Sequence, residues 1–291
     1  MPNHVTNILT IKSDDMSLIQ KIRQEIQNPE PNDEGHHYPI DFNQINPIPK
    51  ELEGTRSPVK IISQKEYDEQ EARIASGELT DDEKRFGLSR GLTKEIEQEL
   101  LQKYGYADWY GWQSNNWGTK WNAYSQHEIS ENVIKFETAW STPFPIMQAM
   151  SEKYPEVIIN VRYADEDFGH NVGEYSLKAG VIVLKNQPEG GSKEAVKMSV
   201  EIQQDEYYIT DYLNDIMEEN TDPDTGEVDE DEIENSTYFQ GIAESAVRHP
   251  EIITYIKDDV FAPGVLKQLE KISVATENFE IAQVIKEKLD S

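Results

Sequence analysis

Asn132-Val133-Ile134-Lys135-Phe136-Glu137-Thr138-Ala139-Trp140 is the stretch on which the fold class turns. Val133, Lys135, Glu137 and Ala139 fall on one side of an extended chain, and Ile134, Phe136, Thr138 and Trp140 on the other. Side chains alternate across a strand, so the pattern is a strand with one covered face. Downstream, residues 143–154 read as a helix with Ile146, Met147 and Met150 apolar, and residues 157–163 and 174–184 as two further strands. Upstream, residues 4–11 are rich in β-branched side chains and read as a strand. Ser13 or Asp14 then caps a helix carrying Leu18, Ile22 and Ile26, and Asn28-Pro29 ends it.

Residues 40–45 read as a short extended segment before Pro47 and Pro49. Residues 50–90 are polar and irregular, an insertion with an exposed helix over 64–75. A helix over 93–104 directs Ile96, Leu100 and Leu101 inward and stops at Gly105. Strands interleaved with helices predict an α+β fold, a ferredoxin-like split βαβ sheet with helices on one face. Residues 1–190 would form this domain and 191–291 a separate acidic, mostly helical module, joined near Pro188, Gly190 and Gly191. In the module, residues 193–203 read as one more strand, and 205–219, 237–247, 250–260, 263–274 and 279–289 as helices.

Charge separates the two parts. The 291-residue chain carries 27 basic and 56 acidic residues, a net charge of −29. Residues 191–291 hold 8 of the basic and 25 of the acidic residues, and 198–247 contain no Lys, Arg or His. This excludes a general nucleic-acid binder, which needs a basic surface for phosphate. The absence of cysteine excludes disulfides, thiolate metal sites and cysteine nucleophiles. No apolar run nears the ~20 residues of a membrane span, and the start lacks a secretory signal pattern, so a soluble, intracellular protein is expected. No nucleophile elbow, P-loop or dinucleotide fingerprint occurs.

Several separated blocks carry a resemblance. They are Met1-Pro2-Asn3-His4-Val5-Thr6-Asn7, Phe42-Asn43-Gln44-Ile45-Asn46-Pro47-Ile48-Pro49, Asp108-Trp109-Tyr110-Gly111-Trp112-Gln113, Asn116-Trp117-Gly118-Thr119-Lys120-Trp121-Asn122-Ala123, and Thr138-Ala139-Trp140-Ser141-Thr142-Pro143 with Pro145. Together, over roughly residues 1–185, they resemble the YubB/Api92-like family of phage and plasmid proteins, whose named domain is ferredoxin-like. The resemblance implies a mobile-element origin and a bacterial host cell, and brings no catalytic residue with it. Residues 50–90 and the acidic tail depart from the minimal domain. Glu277-Asn278-Phe279-Glu280-Ile281-Ala282 and Ile285 are also similar to a UVR-type helical hairpin, or form an ordinary amphipathic hairpin.

Candidate sites follow. Trp109, Trp112, Trp117 and Trp121 lie within thirteen residues. They form either a partner-binding platform or the filling between sheet and helices. Asp165, Glu166, Asp167 and His170 suit a hard or hydrolytic metal, or a solvated turn. His36 and His37, after Asp33 and Glu34, lack a partner pair at zinc spacing. Asp222-Pro223-Asp224-Thr225-Gly226-Glu227 is a turn that fails calcium-loop spacing. Residues 205–234 carry 14 carboxylates and no basic group, an array able to compete for a phosphate-binding groove.

The expected function is non-enzymatic, without catalytic residue, cofactor or metal: an accessory protein that binds a host protein, in its narrowest form an inhibitor of a host defence nuclease. Glu218, Glu219, Asp222, Asp224, Asp229, Glu230, Asp231 and Glu232, with Trp109, Trp112 and Trp117, would contact the partner. The alternatives are a metal-dependent hydrolase or nucleic-acid-processing enzyme using the 165–170 cluster, and a structural self-assembling subunit.

Overall fold

The structure is a computed structural model that describes residues 3–31, 35–203, 209–223, 225–249, 252–257 and 260–290. Strand β1 (His4–Lys12) buries Val5, Asn7, Leu9 and Ile11 in strict alternation. Helix α1 (Met16–Ile26) is capped by Asp15, whose Oδ1 accepts from the Ser17 and Leu18 N–H groups at 2.9 and 3.2 Å. Its buried face is Ile19, Ile22 and Ile26, so Ile19 takes the place expected of Leu18. Both sets fit a 3.6-residue period, and only packing separates them. Residues 40–45 are not extended: Asp41 caps the 3₁₀ turn Phe42–Gln44, its Oδ1 accepting the Asn43 N–H.

Four helices follow: α2 (Gln64–Ala75), α3 (Asp81–Phe86), α4 (Lys94–Tyr104) and α5 (Trp109–Asn116). As expected, α2 buries no side chain. The ends of the 50–90 insertion are tied by parallel bridges between Thr55 and Arg90 and between Ile61 and Leu92. In α4 Leu100 is buried, but Leu101 is 46% exposed rather than inward.

The sheet continues with β2 (Tyr124–Ser130), β3 (Val133–Ala139), then α6 (Phe144–Lys153), β4 (Ile158–Asp165), β5 (Gly173–Lys178) and β6 (Val181–Asn186). Its order is β2-β3-β1-β4-β5-β6. β2 and β3 are antiparallel, with Tyr124 opposite Glu137 and His127 opposite Lys135. β1 and β3 are antiparallel too: the Trp140 N–H donates to Asn3 O, and at the far end the Ile11 N–H donates to Asn132 O. In β1-α1-β2 the intervening neighbour is β3, and in β3-α6-β4 it is β1. Each βαβ unit is split by one strand, which is the ferredoxin-like arrangement. β5 and β6 extend the sheet beyond β4. β2 carries no apolar alternation, because an edge strand with mostly exposed side chains does not need it. Residues 174–184 are a hairpin rather than one strand. Ala179 (φ 49°) and Gly180 (φ 77°) both turn left-handed, as a two-residue type I′ loop requires.

Residues 193–203 form a helix, α7 (Lys193–Gln203), and not a strand. Ala195, Val196, Ser199, Val200 and Ile202 are buried at helical spacing. Then come α8 (Asp211–Glu219), α9 (Glu230–Asn235), α10 (Thr237–Ala246), α11 (Ile252–Lys257), α12 (Pro263–Ala275) and α13 (Phe279–Leu289). The first part of the helix expected over 205–219 falls on residues outside the described ones.

Contacts divide the chain into two compact units: residues 1–5, 9–160 and 176–183, and residues 6–8, 161–175 and 184–291. In the second unit α7 meets the sheet through Ala195 and Ile202 against Ala164, Val172 and Ile8. The same unit holds an apolar core of Phe168, Val196, Leu213, Phe239, Ile242, Leu269 and Ile285, among others. Among the described residues no helix is long and apolar enough to cross a membrane.

Candidate functional site

The aromatic block is organised from its turns outward. Asp108 caps α5 by accepting the Gly111 N–H at 2.8 Å. Trp112 and Trp117 are 6% and 1% exposed and meet edge to face at 5.9 Å. Phe42 meets Trp117 at 5.7 Å and Phe136 at 6.1 Å, and the Trp117 indole N–H donates to Asn46 O at 2.8 Å. Trp112 and Trp117 therefore fill the core, and a platform contacting a partner through them is excluded by burial.

The blocks quoted for the resemblance converge here. Asn122 Oδ1 accepts the Phe42 N–H, and its Nδ2 donates to Asp41 at 2.6 Å. The Thr119 hydroxyl donates to Ala139 O and accepts the Ala139 N–H, fixing the block to the end of β3. The Ser141 hydroxyl reaches Gly118 O, and the Thr138 hydroxyl reaches Ser141 O. Gly118 (φ 81°) leaves no room for a side chain, since a Cβ would stand 2.3 Å from Pro145 Cδ.

The outer part of the block is open. Trp121 is 38% and Trp140 44% exposed. The Lys120 ammonium stands 4.5 Å from the Trp121 ring centroid and 5.1 Å from that of Trp140. Tyr110 meets Trp140 at 6.0 Å and the half-buried Trp109 at 5.8 Å. Trp109, Trp117 and Trp121 also line a cleft of about 460 Å³ with Asn43, Ile48, Glu53, Leu88 and Gln113. Sequence reasoning passed over Gln113 and Glu53, which are ordinary polar residues in the linear chain.

The acidic array lies on α8, α9 and the loop between them. Glu218, Glu219, Asp222, Asp229, Asp231 and Glu232 are exposed. Asp229 Oδ1 caps α9 at the Glu232 N–H, and Asp222 Oδ1 accepts the Thr225 N–H at 2.8 Å. Gly226 has the positive φ expected of it (71°), and its N–H donates to Asp222 O. Asp224 and the side chain of Glu230 lie outside the described residues, as do Asp33 and Glu34. Among the described residues, Glu218, Glu219, Asp231 and Glu232 pair with no cation. Among the described residues, the ion pairs of the helical unit lie elsewhere, at Lys193 and Lys197 with Glu244, Lys271 with Glu234, and Arg162 with Glu201.

In the 165–170 cluster, Asp165 is 4% exposed. Its Oδ1 accepts the Asp167 N–H at 2.9 Å and its Oδ2 the Asn171 amide at 2.8 Å. His170 Nε2 stands 3.2 Å from the Tyr238 hydroxyl. Asp165 thus shapes the loop after β4, and no group of three or more His or acidic side chains converges on a metal position among the described residues. At the C-terminus α12 and α13 form a helical hairpin, with Glu277 left-handed (φ 60°) in its turn.

With the split βαβ sheet and the convergent blocks in place, comparison with known families gives a match over about a third of the chain. Residues 117–210 match the ferredoxin-like domain in Api92-like protein. The match runs from Trp117 through β2, β3, α6, β4, β5, β6 and α7. It takes in the Trp117–Ala123 and Thr138–Pro143 blocks, whereas the resemblance read from sequence spans roughly 1–185. The Api92-like match leaves β1, the insertion and the acidic helices outside it. No curated protein and no solved structure matches the chain.

Proposed function

We propose that this protein is a non-enzymatic accessory factor of a phage or plasmid that binds a basic host protein through its acidic helical arm. In its narrowest form it inhibits a host defence nuclease in the bacterial cytoplasm. The observation that carries the reading is the run of exposed carboxylates from Glu218 to Glu232, with Glu218, Glu219, Asp231 and Glu232 unmatched by any cation among the described residues. Unpaired like charges on ordered helices cost stability within one chain, and that cost is recovered against a basic partner surface. The Api92-like match supports the setting and is silent on the partner.

The test is capture from bacterial lysate on the full chain, eluted with salt, beside a chain carrying Glu218→Lys, Glu219→Lys, Asp231→Lys and Glu232→Lys. A nucleic-acid-binding partner retained by the parent, released by salt and lost from the reversed chain is expected. Retention of the same partner by the reversed chain sinks the acidic-arm reading.

A further inference from the structure

The two edges of the sheet are built differently. At one edge β2 is guarded. Its register shifts between Tyr124 and His127 and again between Glu128 and Ser130, and Ser125 is left-handed (φ 46°). Arg23 reaches across its end to Ser130 O at 3.4 Å and to the Glu128 carboxylate at 2.8 Å. Irregular register, charged side chains and a covered end are devices that keep an edge from pairing with another chain. At the other edge β6 reads Val181-Ile182-Val183-Leu184-Lys185-Asn186, and every one of these residues is exposed. Its four apolar side chains are between 44% and 64% exposed and alternate between the two faces. A lone folded chain avoids such an apolar edge. The strand is well anchored all the same. Its turn is tied to α6, with the Gln148 amide donating to Gly180 O at 3.0 Å and the Gly180 N–H donating to Ser151 Oγ at 3.1 Å.

The hairpin fixes which main-chain groups are free. A two-residue loop at Ala179 and Gly180 makes Lys178 and Val181 its hydrogen-bonded closing pair. The main-chain groups of Val181 and Val183 then face β5, and those of Ile182 and Leu184 face outward. Two such edges, antiparallel about a two-fold axis at Val183, are complementary to each other. Ile182 of each copy pairs with Leu184 of the other, so every outward N–H and C=O of these residues finds a partner. Val183 stands opposite its own copy and Val181 opposite Lys185. Apolar side chains meet at the centre, and no like charges are opposed.

Charge selects the occupant. A molecule of net charge −29 repels its own copy, so two copies meet best where acids are sparse. Residues 175–188 carry Lys178 and Lys185 and no acidic residue. Glu174 lies one strand back, on β5, and Glu152 lies beside the Gly180 turn. A foreign strand would need an unguarded edge of its own, whereas a second copy always supplies one.

We propose that β6 is a self-association strand, joining two copies of this chain through an antiparallel β6–β6 junction into one continuous sheet. One short strand is a small interface, under the roughly 1,200 Å² of the standard class, so a dimer in the micromolar range is expected.

The test is sedimentation velocity on the full chain from about 1 to about 300 µM, which brackets a micromolar equilibrium. It is run in about 0.1 M and about 0.5 M sodium chloride. The sedimenting species should move from one chain toward two and no further, because an isologous pair closes on itself. The higher salt should favour the pair by screening the repulsion. Val183→Lys opposes like charges on the axis and should weaken the dimer about tenfold, with the melting temperature near the parent's. The chain has no cysteine, so single cysteines report the register. Val183→Cys, oxidised with copper phenanthroline, should cross-link, because opposed residues of a non-hydrogen-bonded pair stand about 4.5 Å apart at Cα. Val181→Cys, also exposed but about 13 Å from its copy in this register, should not. The cysteine pair decides the matter if Val183→Lys fails to fold. Equal cross-linking at both positions, growth past two chains, a dimer unchanged by Val183→Lys, or a single chain in every condition overturns the junction. A single chain whose lysate partner is lost on Val183→Lys assigns the edge to a foreign strand, and overturns it too. Salt should tighten this dimer and loosen the acidic-arm complex, so the two proposals fail separately.

Discussion

Single residues hold the aromatic block in register. Gly118 is left-handed and packed against the Pro145 ring, with 2.3 Å between a would-be Cβ and Pro145 Cδ. Gly118→Ala should therefore lower stability by roughly 2–4 kcal/mol, from overpacking against a rigid ring and from backbone strain. Thermal unfolding checks this, and a melting temperature equal to the parent's would show the turn to be adaptable. In the insertion, Arg73 makes a two-pronged contact with Glu83, Nη1 to Oε2 at 2.5 Å and Nη2 to Oε1 at 2.7 Å. The Arg73 hydrogen bonds first, and then the Thr80 backbone N–H, hold the Glu83 carboxyl down to about 2 from its ordinary 4.5. A depressed folded-state value stabilises the native form above about pH 4.5, and the benefit is lost as pH falls through 2. Protection of the α3 amides, taken relative to the intrinsic exchange rate at each pH, should fall across that interval, and Glu83→Gln should remove this pH dependence. Neither residue was singled out from the sequence, because ten positions separate the partners and no local pattern joins them.

At the scale of elements, strand β3 and helices α1, α6, α10, α12 and α13 were legible because each packs one clear face. The misread elements have separate causes. Residues 193–203 contain both an alternating and a helical subset of apolar positions, and short apolar runs do not discriminate between the two. The burial partners Ala164 and Val172 decide for the helix. The β5–β6 hairpin was hidden because Ala179 stands where Asn or Gly is usual in a type I′ loop. Left-handed geometry costs alanine about 1 kcal/mol. Ala179→Asn should therefore raise stability by about 0.5–1 kcal/mol. Chemical denaturation reads this as a higher midpoint at constant slope; an unchanged midpoint would mean that the turn is not limiting.

Over the whole molecule, charge dominates. A net charge of −29 on 291 residues sets up self-repulsion that ordinary salt screens over about 8–10 Å. The native state should accordingly melt higher in about 0.5 M than in about 0.01 M sodium chloride, across the range where screening of exposed charges changes most. Calorimetry at the two ionic strengths is sufficient, and a flat or falling melting temperature would show that native ion pairs outweigh the repulsion. The same screening weakens the proposed partner complex. Salt should then act in opposite directions on the free protein and on its complex.

The α+β class, the Api92-like resemblance and the charge asymmetry were decided by the sequence alone, whereas the split order of the sheet needed β2, which only the tertiary structure revealed. The first three rest on local period, composition or ordered short blocks, which survive in one dimension. Tertiary structure decided which tryptophans are core and which open, because Trp112, Trp117 and Trp121 differ only in what folds over them. It also placed Asp165 in loop architecture and brought Glu53, Gln113 and Trp121 around one cleft. Burial and hydrogen-bond satisfaction depend on residues far apart in the chain, and no linear pattern encodes them.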